Sequence, residues 1–126
     1  MQEVDYRQDT GKQGEDLAVQ VLEGRGCAIL ERRYRTRFGE IDIIAEANGE
    51  LIFVEVKARR TTAFGSAAES VPCWKQRRIA AMALDYLAWT DRLNDRCRFD
   101  VVAIDGIGTG HVDVRVIEDA FAAQGT

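Results

Sequence analysis

Asn48-Gly49, set between two runs of Ile, Val and Phe, constrains this chain more tightly than any other dipeptide in it. Such a pair favours the two-residue hairpin loop whose twist matches its flanking strands. The register then follows by counting. With Asn48 and Gly49 in the loop, Ala47 faces Glu50, and the pairing runs back through Ile43 with Val54, Asp42 with Glu55, and Ile41 with Val56. Two carboxylates are thereby opposed across one ladder, where Cβ atoms are about 4.5–5.5 Å apart and like charges repel. Lys57 lies two residues past Glu55, hence on the same face and roughly 7 Å along the strand, while Ile41, Ile43, Val54 and Val56 are expected on the other face. Something positive is needed between the two carboxylates, so the spacing predicts a metal site.

The chemistry that suits such a site is phosphodiester hydrolysis, which needs charge neutralisation, a nucleophile at neutral pH and stabilisation of the leaving oxygen. A hard divalent cation supplies all three. Mg²⁺ (or Mn²⁺) takes oxygen ligands, commonly one or two carboxylates plus water and substrate phosphate. Asp42 and Glu55 are the expected ligands, with the Val56 carbonyl completing the set. Lys57 is the expected catalytic cation, orienting the attacking water and stabilising developing negative charge. Glu15 falls in the first turn of the first predicted helix, on the stripe facing the sheet, and is an auxiliary ligand candidate; Gln76, in the first turn of the second helix, is a candidate contact to water or phosphate. The plainer alternatives are a solvated Asp and Glu, a Lys57–Glu40 cross-strand ion pair, a dipole-favouring Glu15 and an ordinary helix-start Gln76. Asp100 has no role that spacing supplies, and His111 reads as a surface residue.

The net charge of −4 argues against a nucleic-acid binder until its distribution is considered. From Arg32 to Arg78 there are 10 Lys or Arg against 6 Asp or Glu, so the hairpin is bracketed by positive charge in an otherwise acidic chain. Arg35, Arg37, Arg59, Arg60, Lys75 and Arg78 are the expected phosphate contacts, with Arg32, Arg33 and Arg77 beside them. A solvated charged face is the bland reading. Tyr34, Phe38, Phe64 and Trp74 are placed either to stack on bases or to anchor loops.

The apolar periodicity divides the chain into one domain of 126 residues at most. Residues 1–10 read as a flexible N-terminus, 11–118 as the domain and 119–126 as a C-terminal tail. Leu17, Ala18, Val21 and Leu22 predict a helix from Gly11 to about Gly24. Strands are expected over Cys27–Arg35, Gly39–Ala47 and Glu50–Arg59, then a mobile loop to Val71 and a helix from Pro72 to about Trp89 on Ile79, Met82, Ala83, Tyr86 and Leu87. A fourth strand over 97–105 follows a helical crossover and should lie parallel to the third; Val112, Val114 and Val116 alternate as an edge strand. Three widely spaced cysteines and one histidine make a zinc site or disulfide framework unlikely on spacing. The N-terminal residues lack a signal-peptide pattern and no apolar run is long enough to span a bilayer, so a cytoplasmic protein without membrane contact is expected.

Five blocks in order, Gly11-Lys-Gln-Gly-Glu15, Arg37-Phe-Gly-Glu-Ile-Asp42-Ile-Ile-Ala, Phe53-Val-Glu55-Val-Lys57-Ala-Arg59, Lys75-Gln-Arg-Arg-Ile79 and Arg98-Phe-Asp-Val-Val-Ala103, resemble the YraN-like bacterial family. The wider pattern of Glu15, Asp42 and Glu55-Val56-Lys57 resembles the PD-(D/E)xK, or restriction endonuclease-like, superfamily, and its order is similar to archaeal Holliday-junction resolvases. Ile41 stands where the superfamily name has proline, and Gln76 lacks the tyrosine four residues later that marks RecB-like nucleases. The resemblance implies an α/β restriction endonuclease-like fold, a central mixed sheet of about five strands flanked by helices in the order α-β-β-β-α-β-β. It also implies Mg²⁺ or Mn²⁺ dependence, a DNA or RNA substrate and, from the resolvases, a homodimer. The leading expectation is a metal-dependent endonuclease acting on structured DNA. The alternatives are a non-catalytic nucleic-acid-binding module of a repair or processing complex, and a protein-interaction domain.

Overall fold

A computed structural model describes residues 6–61 and 71–122, with side chains from Thr10 onward. Phe64 and most of the expected loop, residues 62–70, lie outside the described residues, as do 1–5 and 123–126. The elements are α1 (Tyr6–Gly24), β1 (Ala28–Thr36), β2 (Gly39–Ala47), β3 (Glu50–Arg59), α2 (Cys73–Trp89), β4 (Cys97–Asp105) and β5 (Asp113–Phe121). This is an α/β chain whose five strands form one sheet in sequence order, antiparallel throughout except where β3 and β4 run parallel across the α2 crossover. α1 starts five residues earlier than its apolar period indicates, and β5 continues past the expected domain end at 118.

Each helix covers one face of the sheet. Ala18 and Leu22 of α1 pack on Ile43, Ala45, Ile52, Val54, Val102 and Ile104. Ile79, Met82, Ala83, Tyr86 and Leu87 of α2 pack on Ile44, Leu51, Phe53, Phe99 and Val101. β2, β3 and β4 are therefore apolar on both sides, as strands buried between two helical layers must be. The hairpin turn is type I′, with φ of 53° at Asn48 and 77° at Gly49, and its register holds from Ala47↔Glu50 to Ile43↔Val54.

Beyond Ile43↔Val54 the expected pairing stops: Asp42 and Glu55 are not ladder partners. Nor do Ile41 and Ile43 share a face. Ile41 and its β1 partner Tyr34 pack with the α2 layer, whereas Ile43 belongs to the α1 layer and its partner Arg32 reaches Glu15 and Asp16 of α1. Residues two apart in a regular strand point the same way, so both strands turn over at the intervening pair, Arg33 and Asp42. The cause is visible at Arg33, whose φ of 53° is left-handed backbone.

Asp100 owes its burial, at 1% exposure, to a structural duty at the other edge. It accepts hydrogen bonds from Arg98 Nε at 3.0 Å and from the Asp119 backbone N–H at 2.9 Å. The β4–β5 register shifts between Phe99 and Val101, and Asp119 has φ 52°, so this carboxylate pins an irregular stretch of β5.

α1 approaches β3 closely because residue 14 is glycine: a Cβ there would lie 2.5 Å from the Ala58 Cβ. Gly14→Val should therefore destabilise the fold by about 1–3 kcal/mol through overpacking. Gly11→Ala, whose Cβ meets nothing within 4 Å, should instead stabilise it by up to about 1 kcal/mol through helix propensity. Urea unfolding of both variants checks the contrast.

Candidate functional site

The turnover at Asp42 opens the sheet where the acidic residues gather. Val56 N–H, which would otherwise serve the β2–β3 ladder, donates to Asp42 Oδ2 at 2.7 Å. The Val56 carbonyl projects from the same edge of β3 as its N–H, since both groups of a strand residue point to one neighbour in such a ladder. Asp42, Val56 and Ala58 line a cleft of about 990 Å³ beside α1, together with Thr10, Gly11, Lys12, Glu15, Arg33, Glu40, Arg59 and Arg60. Glu55 and Lys57 alternate with Val56 and Ala58 along β3, onto the α2 side. The predicted site residues thus straddle the opened ladder instead of sharing one face.

Burial and the neighbouring Glu55 charge push the Asp42 carboxyl from its usual 3.8 up to about 7, opposed by the Val56 hydrogen bond and the Lys75 charge; Glu15 adds to the upward push. Glu15 and Glu55 each hold basic side chains. Glu15, buried on α1, accepts from Arg32 at 2.5 Å and from Arg33 Nε at 3.2 Å. Glu55 pairs with Lys75 Nζ at 2.5 Å. Among the described residues no three His, Cys, Asp or Glu side chains form a compact cation cage. The donors at hand are nonetheless all oxygens, and a desolvated Asp42 between Glu55 and Glu15 is the setting a hard divalent cation would relieve, so the residues fit Mg²⁺ or Mn²⁺.

The remaining candidates are dispersed. Gln76 Nε2 donates to the Val71 carbonyl at 2.8 Å, which fixes the entrance to α2. Lys75, expected on phosphate, sits on Glu55 instead. Arg35 pairs with Glu40 at 2.8 Å. Arg59 and Arg60 line the cleft, and Arg59 also approaches Asp105 at 3.8 Å. Arg37 and Arg78 lie over the rings of Phe38 and Trp74.

Sequence reasoning missed Lys12 and Thr10. Lys12 stands one helical turn before Glu15, a spacing that places both on one side of α1. Arg33 was expected among the basic residues around the hairpin, but its pairing with Glu15 was not, because its left-handed backbone is not written in a local pattern. Among the described residues the buried Thr10 hydroxyl, in the cleft wall, makes no hydrogen bond, an unusual state for a buried polar atom.

This α/β sheet with an acidic notch and a basic rim is accompanied by a family match over most of its length. The profile of the uncharacterised protein family UPF0102 matches residues 14–104, and the chain belongs to that family. A UPF0102 protein from Desulfosudis oleivorans is 46% identical over 96% of each chain, and one from Ralstonia pickettii is 50% identical over 91% of each. Among solved structures, Pyrococcus furiosus SfsA in complex with Ca²⁺ aligns at a TM-score of 0.41 and 17% identity, over 89% of this chain and 63% of that one. No helix among the described residues is long and apolar enough to cross a membrane.

The raised Asp42 value has a signed consequence for stability. Between pH 4 and about 7 the folded state keeps a proton that the unfolded state has released, so stability contributed by protonated Asp42 is lost as pH rises through that window. Asp42→Asn keeps an acceptor for Val56 N–H and carries no charge. Its stability relative to the parent should be near zero at about pH 4 and rise by on the order of 1–3 kcal/mol by about pH 7.5, as read from urea unfolding across that range.

Proposed function

We propose that this protein is a divalent-metal-dependent endonuclease-like phosphodiester hydrolase of the PD-(D/E)xK, restriction endonuclease-like type, acting in the cytoplasm on structured, resolvase-type DNA substrates. The observation that carries the reading is Asp42: a carboxylate set where two central strands part, desolvated, pressed by Glu55 and Glu15, and opening on a cleft rimmed by Lys12, Arg33, Arg59 and Arg60. The element order α-β-β-β-α-β-β supports it. So does the all-oxygen donor set.

Asp42 and Glu55, with the Val56 carbonyl, would hold Mg²⁺ or Mn²⁺, and Glu15 would serve as an auxiliary ligand. When bound, the ion supplies charge neutralisation and a nucleophile at neutral pH. The chain's own residues do the rest. Val56 N–H fixes the Asp42 carboxylate at 2.7 Å, so one oxygen is oriented before any ligand arrives. Lys75 holds Oε1 of Glu55, which leaves the second oxygen of that carboxylate as the one to ligate. Lys57, on the same side of β3 as Glu55, orients water and stabilises developing negative charge. Lys12, Arg33, Arg59 and Arg60 line the cleft and would meet the phosphates of a bound strand. One observation favours a second reading. Glu55 is paired with Lys75 and Glu15 with two arginines, which is also how a non-catalytic nucleic-acid-binding module would neutralise its acids.

The deciding experiment offers labelled duplex, single-stranded, flap and four-way-junction DNA to the protein in Mg²⁺, Mn²⁺ or EDTA, beside its Asp42→Asn and Lys57→Ala variants. Cleavage should require the metal and fall by about 10²-fold or more in both variants, while retention of DNA changes little, since each removes one charge of several. Undiminished cleavage in both variants, or retention of DNA without cleavage by the parent, would falsify the catalytic reading.

A further inference from the structure

Two exposed aromatic rings, each covered by an arginine, lie on neighbouring elements beside the candidate site and are used by nothing described so far. Phe38, in the β1–β2 turn, is 42% exposed and has the Arg37 guanidinium 4.8 Å from its ring centre. Trp74, in the first turn of α2, is 56% exposed and has the Arg78 guanidinium 5.0 Å from its ring centre. The two pairs come from sites thirty-six residues apart in sequence, yet the fold brings them together at Gly39. A Cβ on Gly39 would stand 3.8 Å from Arg78 Cδ and 3.7 Å from Met82 Sδ, so the residue after Phe38 rests directly on the arginine that covers Trp74.

Large aromatic rings left in water cost solvation free energy unless something covers them in use. Here the surroundings select the occupant. Arg37 and Arg78 lie on the rings themselves, and Lys75 and Arg77 share the first turns of α2 with Trp74, so a second apolar protein surface is a poor match, whereas a polyanion with flat apolar faces fits both features. Aromatic platforms combined with positive charge are the general means of holding unpaired nucleotides, because every base has a π-face and every nucleotide a phosphate. A blunt duplex keeps its bases stacked on one another and offers a free face only at its two end pairs.

We propose that Phe38 and Trp74, with Arg37 and Arg78, form a stacking platform for unpaired bases. The substrate class is therefore nucleic acid in which a single-stranded segment adjoins a duplex, with the unpaired strand led across the β1–β2 turn and the start of α2. The proposal rests on the nucleic-acid reading of the neighbouring cleft. It does not require that reading to include cleavage. Lys75, next to Trp74 in the chain and paired with Glu55, links the platform to the acidic notch, so a base held on Trp74 places its phosphate beside the site.

The test is binding in EDTA at fixed moderate salt, where no cleavage occurs, using a Trp89→Phe background so that Trp74 is the sole tryptophan. Fluorescein-labelled flap DNA, the corresponding RNA–DNA flap and a blunt duplex of equal length are titrated against this protein and its Phe38→Ala, Trp74→Ala and Trp74→Phe derivatives. Both flaps should quench Trp74 emission on binding. Phe38→Ala and Trp74→Ala should each weaken flap binding by about 5- to 100-fold, Trp74→Phe should retain most of it, and duplex affinity should move by less than about twofold. Both rings are exposed, so thermal unfolding should be unchanged and serves as the folding control. Flap binding unaltered in the alanine variants, or flap and duplex weakened equally, overturns the platform and leaves the nucleic-acid reading standing. No binding to any of the three probes overturns both. Flap-selective binding lost in the alanine variants supports the platform even if the cleavage experiment shows no hydrolysis.

Discussion

The hydrogen bond from Val56 N–H to the Asp42 carboxylate sits where a backbone ladder gives way to a side chain, and the arrangement of the whole notch depends on it. Up to Ile43↔Val54 the two central strands satisfy each other's peptide groups. One step further the strands part, and a peptide N–H in the middle of a covered sheet would be left without an acceptor, at a cost of about 1–3 kcal/mol. Asp42 accepts it. The price is a carboxylate drawn out of water beside Glu55, and its proton affinity rises accordingly. The same contact that satisfies the backbone therefore creates an acidic position that a cation would stabilise.

The surrounding charges are distributed to contain that tension. Glu15 is neutralised from β1 by Arg32 and Arg33, and Glu55 from α2 by Lys75, so the compensating groups come from β1 and α2 while α1, β2 and β3 carry the acids. The two helices reach the sheet by different means. α1 comes close because Gly14 lacks a side chain against Ala58, which brings Glu15 and Lys12 over the cleft; α2 stands on a conventional stripe of Ile79, Met82, Ala83 and Tyr86, leaving its first turn to carry Trp74 outward and Lys75 onto Glu55. The acidic notch, the basic cleft and the aromatic pairs are thus three consequences of how α1, α2 and the β1–β2 turn are seated on one opened sheet.

Much of the architecture was legible in the residues. Asn48-Gly49 placed the hairpin and its near register, and the boundaries of β2 and β3 coincide with those expected, because a two-residue turn leaves no freedom in the count. The helical stripe of α2 and the parallel return of β4 followed from period and connection length. The start of α1 did not, since its first turns lack the apolar stripe by which a helix is recognised. Asp100 looked unemployed for a related reason: its partner, the backbone N–H of Asp119, belongs to a strand that pairs with it only after folding.

What the sequence by itself determined is the order of elements, the hairpin and the concentration of Asp42, Glu55, Lys57 and arginines near it. These are encoded by turn propensity, hydrophobic period and counting, all of which act over a few residues. Only the tertiary structure decided which side chains meet. A left-handed φ at Arg33 turns β1 over where Asp42 of β2 faces it, sending Asp42 toward α1 while Glu55 faces Lys75, and Gly39, next to Phe38, is seated against Arg78 and Met82 of α2. Those outcomes depend on one backbone dihedral and on contacts between elements distant in the chain, and neither leaves a periodic trace in the residues that carry it.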